Sequence, residues 1–124
     1  MTTSDQQAPH DLHDLRERTR QFARERNWAQ YHTPKNLAMA MSVEVAEVAE
    51  HFQWLHSGAD HELDDATRAA IRHELADVLL YLVQLADKMN VDLHAAAVEK
   101  MALNAIKYPA PGGSEPTRLP RTAK

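Results

Sequence analysis

Residues 43–54 read VEVAEVAEHFQW and residues 72–82 read RHELADVLLYL. Neither stretch holds Gly or Pro, and both are built from good helix formers with apolar residues recurring three and four apart, so each reads as an amphipathic helix. Each also carries one acidic pair at the same spacing: Glu44 and Glu47 in the first, Glu74 and Asp77 in the second. Side chains three apart share a helix face. At about 100° per residue, Leu37, Met41, Val45, Val48, Phe52 and Leu55 form the apolar arc of the first helix, with Glu44 at its edge and Glu47 just beyond. In the second helix, Ile71, Leu75, Val78, Leu82 and Met89 form the stripe, and Glu74 and Asp77 flank it. Two such flanks facing one another gather four carboxylates. Ionised carboxylates are costly to bury unpaired, and oxygen donors suit a hard divalent cation, so the expected occupant is Mg2+, with Mn2+ as the alternative.

A single E-x-x-E is commonly a solvated face; the second pair and its position against an apolar arc are what point to a site. Glu50 is the internal control, because the next step of three rotates it to the polar side. His51 falls near Glu44 on the wheel and reads as a companion of the carboxylates, not a ligand. Trp54, seven residues after Glu47, and Tyr81, four after Asp77, are aromatic rings close enough in register to stack on a base, although rings at helical spacing more often belong to a core.

The rest of the chain frames these two helices. A length of 124 residues with three Gly and abundant Ala, Leu, Glu and Arg predicts one small all-α domain, a four-helix bundle-like protomer. The expected helices run from 12 to 27, 35 to 56, 65 to 89 and 92 to 107, with Pro34 near the start of the second, Ser57-Gly58 as a stop, Asp64 or Asp65 as a cap and Asn90 as an end. Residues 1–11 and 110–124 read as tails without fixed structure, leaving 12–109 as the domain. A formal net charge of −4 provides no basic footprint for nucleic acid. No apolar run approaches the roughly 20 residues of a membrane span, and no signal-like segment or Cys is present, so a soluble cytoplasmic protein is expected.

Five blocks in order make the chain resemble the MazG-like all-α nucleoside triphosphate pyrophosphohydrolases, in particular their dCTP pyrophosphatase branch. They are FARERNWAQYHTPKNL (22–37), EVAEVAEHFQW (44–54), ELADVLLYLVQLAD (74–87), VDL (91–93) and EKMALNAIKYP (99–109). The signature E-x-x-E then E-x-x-D falls on Glu44, Glu47, Glu74 and Asp77. The resemblance implies Mg2+-dependent hydrolysis of a triphosphate between its α and β phosphorus atoms, with Glu44 or Glu47 activating water. It also implies that Lys100 and Asn104, one turn apart, reach phosphates and sugar with Lys107 and Tyr108 nearby, and that Trp28, Trp54 and Tyr81 enclose the base beside His32 and Asn36. A homodimer or homotetramer is implied too, consistent with helices exposing more apolar surface than one protomer covers.

Where some cytosine-preferring relatives carry a histidine this chain has Thr19, so a broad dNTP or a phosphoribosyl-ATP pyrophosphohydrolase is the nearest alternative. A di-iron bundle is disfavoured because neither pair is E-x-x-H. A non-catalytic helical module has no reason to place four carboxylates and two aromatics on inner flanks.

Overall fold

The computed structural model describes residues 11–112. Among them lie four α-helices and no strand: α1 (Leu12–Glu25), α2 (Pro34–Phe52), α3 (Asp65–Lys88) and α4 (Leu93–Lys107). Single 3-10 turns at Ala29–Tyr31 and Asp60–Glu62, neither foreseen from the sequence, sit in the two longer connections. The expected tails, 1–11 and 110–124, lie outside the described residues except for Asp11 and 110–112.

Every helix starts on a side-chain cap. Asp11 accepts from the amide of Asp14 at 2.8 Å, Thr33 from Asn36 at 3.2 Å, Asp64 from Thr67 at 2.7 Å and Asp92 from Ala95 at 3.0 Å. Each cap satisfies one orphan N–H and contributes about 1 kcal/mol. Pro34 occupies the first turn of α2, where its missing N–H costs nothing. α1 and α3 end alike. Asn27 (φ 56°) and Asn90 (φ 55°) adopt the left-handed conformation, and the following amides, Trp28 and Val91, reach back to the carbonyls of Ala23 at 2.9 Å and Ala86 at 2.8 Å. This is the Schellman exit, for which Asn is the commonest choice after Gly. Three helix ends differ from expectation: α1 stops at Glu25, not Asn27, α2 at Phe52, not His56, and α3 at Lys88, one residue short of Met89.

The chain divides after Val91 into two compact units. In the first, both α2 and α1 pack against α3, α2 the more extensively. The core is small: Ala23, Leu37, Ile71, Val83 and Ala86 are buried, with Leu37 at 1% exposure its most enclosed side chain. Burying Leu37 contributes about 1.5–3 kcal/mol. The second unit holds α4, which buries none of its residues.

The apolar stripes need correction. Ile71 and Leu37 are buried as expected, but Val45, Leu75, Leu82 and Met89 stay exposed, while Val83 and Ala86, outside the expected stripe, belong to the core. α3 is apolar over more than one face, and α1 and α2 together cover only part of it. A single-stripe reading averages these faces.

Candidate acidic site and its aromatic surroundings

The α2·α3 contact brings the two acidic pairs together. The carboxyl of Glu44 is held above its ordinary range, first by desolvation, then by Glu47, which hydrogen-bonds and repels it, and by the charges of Asp77 and Glu74. Oε2 of Glu44 and Oε2 of Glu74 are both buried without a hydrogen-bond partner. His51, one turn past Glu47 on α2, places Nε2 2.6 Å from Glu74 Oε2, within ion-pair distance when the ring is protonated. Its register to Glu44 pointed to the right neighbourhood; its contact is to the acid on the facing helix. Glu50 is exposed, as the wheel requires of a solvated carboxylate.

A buried Glu44 oxygen with no partner, a buried Glu74 oxygen met only by His51, and a Glu44 carboxyl held up by three like-charged neighbours are what a hard cation would relieve, so the donor set fits Mg2+ or Mn2+. The flanks are coupled but not closed: among the described residues no three His or acidic side chains already stand at metal-holding spacing. Asp77 is exposed while Glu44, Glu47 and Glu74 are half-buried. Drawing all four onto one ion therefore requires rotamer changes.

The expected base-binding residues fall into separate groups. Trp28 leads into the first 3-10 turn, stacks edge-on against Phe22 with ring centroids 5.6 Å apart, and meets His32 at 6.3 Å. Burial and nearby Lys88 push the His32 imidazole below its ordinary pKa. Asn36 donates from its side-chain amide to the Tyr31 carbonyl at 2.9 Å, fixing the entry to α2. Tyr81 is half-buried on α3, one turn past Asp77. Trp54 lies outside α2, because the helix ends at Phe52, and its indole is 87% exposed. The core reading of Trp54 therefore fails for this protomer, and seven-residue register no longer places it. Lys100, Asn104, Lys107 and Tyr108 all lie on α4 or its end, in the second unit, where Lys107 Nζ stands 5.4 Å from the Tyr108 ring centroid.

Sequence reasoning missed a cleft of about 220 Å3 beside His32, lined also by Thr19, Ala23, Ala29 and Gln84 and by Arg20, Arg24, Asp87 and Lys88. Arg20 spans α1 to α3 there, donating from Nε at 2.8 Å and from Nη2 at 2.5 Å to the two oxygens of Asp87, whose carboxyl is held below its ordinary range. Partners 67 residues apart leave no local signal. Arg24 and Lys88 stand in the last turns of α1 and α3, where cations complement the helix dipole.

An all-α chain with two acid pairs on facing helices meets its family here. The MazG-like family model matches residues 39–117, and the chain belongs to that family. It is 46% identical over 101 residues to dCTP pyrophosphatase 1 of Homo sapiens, covering 80% of this chain and 59% of that protein, and 44% identical over 100 residues to dCTP pyrophosphatase 1 of Rattus norvegicus, covering 79% and 59%. The chain thus spans about three-fifths of the length of the curated relatives it matches. Among solved structures it resembles a pyrophosphatase from Archaeoglobus fulgidus DSM 4304, at 40% identity and a TM-score of 0.74, covering 82% of this chain and 94% of that one. No helix among the described residues is long and apolar enough to cross a membrane.

Proposed function

We propose that this protein is a Mg2+-dependent nucleoside triphosphate pyrophosphohydrolase, acting on dCTP or a modified cytosine deoxynucleotide to clean the cytoplasmic nucleotide pool. The observation that carries the proposal is the juxtaposition of Glu44, Glu47, Glu74 and Asp77, with one Glu44 oxygen buried and without a partner and one Glu74 oxygen buried against His51. The similarity to dCTP pyrophosphatase 1 supports the substrate.

Glu44, Glu47, Glu74 and Asp77 hold the cation. A cation held there would supply positive charge that offsets the repulsion between a triphosphate and the four carboxylates. Glu44 or Glu47 accepts a proton from the attacking water, whose oxygen bonds to the α phosphorus. The bond from that phosphorus to the α,β-bridging oxygen breaks, and pyrophosphate leaves with the oxygen. The products are the nucleoside monophosphate and pyrophosphate.

Trp28, His32, Asn36, Trp54 and Tyr81 receive the base, and Lys100, Asn104, Lys107 and Tyr108 the phosphates and sugar. The working form is a homodimer or homotetramer, supported by the apolar residues each protomer leaves uncovered, Val45, Leu75, Leu82 and Met89 in the first unit and Val98, Met101 and Ile106 in the second. A panel of dNTPs and NTPs with Mg2+ and pyrophosphate detection tests the proposal. Preference for dCTP or its modified forms is expected; release of orthophosphate in place of pyrophosphate would overturn it.

A further inference from the structure

The exit from α2 is tied by one carboxylate that the proposed chemistry does not use. Oε1 of Glu62 accepts from the backbone N–H of His56 at 2.7 Å. Its Oε2 accepts from the N–H groups of Ser57 at 3.1 Å, Gly58 at 2.7 Å and Ala59 at 3.0 Å, and from the Ser57 hydroxyl at 3.2 Å. Four consecutive amides converging on one anion form a concavity of the kind that binds phosphate elsewhere, here filled by the chain's own side chain. Those bonds hold the Glu62 carboxyl down at about 2.

The loop closes around this point. Gly58 takes φ +79° under the Phe52 ring, where a Cβ would stand 2.9 Å from Cδ1, so the position requires glycine. Arg68 of α3 donates to the Asp60 carbonyl at 2.9 Å and to its carboxylate at 3.2 Å, anchoring the far end. Trp54 sits at the entry, its ring 87% exposed. Backbone therefore sets its direction: α2 two residues before it, and the amides held by Glu62 from two residues after it.

We propose that Glu62 is a positioning residue for nucleotide binding, gathering the amides of His56 to Ala59 so that Trp54 is held ready for a base at the end of α2. The proposal rests on the base contact assigned to Trp54 above. A ring fixed before the ligand arrives loses less conformational freedom on binding than one on a loose loop. A purely structural Glu62 would lower melting temperature and leave KM unchanged in the folded protein.

The test uses the full chain. Glu62→Ala is expected to raise KM for dCTP about tenfold with kcat within about twofold, because ring placement acts on binding and not on the reacting atoms. Combined with Trp54→Ala, it should add nothing to the KM of Trp54→Ala alone, the non-additivity that marks two residues acting through one contact. In a Trp28→Phe background, where Trp54 is the sole fluorophore of its kind, Glu62→Ala should lower indole anisotropy without any nucleotide present. If Glu62→Ala fails to fold, Glu62→Gln, which keeps one carbonyl acceptor, should show the same pattern at about threefold in KM. Unchanged KM, or KM effects that multiply in the double variant, would overturn the proposal. If Trp54→Ala itself leaves KM unchanged, the base-contact reading fails and Glu62 loses its part in binding. Unchanged anisotropy would instead fail the clamp alone.

Discussion

Truncating Trp54 to Ala separates two accounts of the same residue. A buried Trp cut to Ala costs about 3–5 kcal/mol. Trp54 is 87% exposed, so almost none of that burial exists to be lost, and the change should stay within about 0.5 kcal/mol, the ordinary range for a surface substitution. For a domain of this size that is a melting shift of at most about 2–4 °C. Stacking on a base contributes about 1–3 kcal/mol, and at 1.4 kcal/mol per decade its loss raises KM by about 5- to 140-fold. kcat should hardly move, because a ring on the base supports ground and transition states alike. Melting temperature and steady-state kinetics on one preparation decide the matter. A melting point lowered by 10 °C or more, at about 4–8 °C per kcal/mol, with unchanged KM would refute the reasoning and place the indole in a buried contact between protomers.

Glu47→Gln and Asp77→Asn should abolish turnover, whereas Glu50→Gln, at an exposed position of α2, should leave it within about threefold; equal damage from all three would show that the acidic flank has been misassigned. EDTA should inactivate the protein and Mg2+ restore it, and Mg2+ at a hundred times its Kd should stabilise the fold by about 2.7 kcal/mol in a thermal melt. Because the folded carboxyl of Glu62 lies near 2 against an ordinary 4.5, its contribution to stability is complete above about 4.5 and disappears as pH falls through 2. Glu62→Gln should flatten the melting temperature across that window, leaving the same-signed contributions of Asp64 and Asp87 and, from its upper edge, the opposite-signed one of Glu44.

Local sequence signals carried the helices and the acid pairs because both depend on spacing along one element. Pro34 and Asp64 mark helix starts wherever they fall, and Glu44 with Glu47 must share a face once α2 forms. What depended on the far side of a helix was not legible. α3 packs against both α2 and α1, and its buried residues, Ile71, Val83 and Ala86, do not follow a single stripe. Long-range pairs were invisible for the same reason: nothing near Arg20 announces Asp87, and nothing on α2 alone shows that His51 meets Glu74. Trp54 was displaced by a turn chemistry that periodicity does not register, since Gly58 and the Glu62 carboxylate end α2 early and fold the following loop back on Phe52.

Four carboxylates on α2 and α3 are proposed to hold a divalent cation, with Glu44 or Glu47 activating water for attack on the α phosphorus of a nucleoside triphosphate. Incubating the protein with dCTP and Mg2+ in 18O-labelled water, and separating the first products formed, tests it most directly. The account predicts dCMP and pyrophosphate in equal amounts, with the label in the dCMP phosphate. dCDP and orthophosphate as initial products, or label in pyrophosphate, would contradict it.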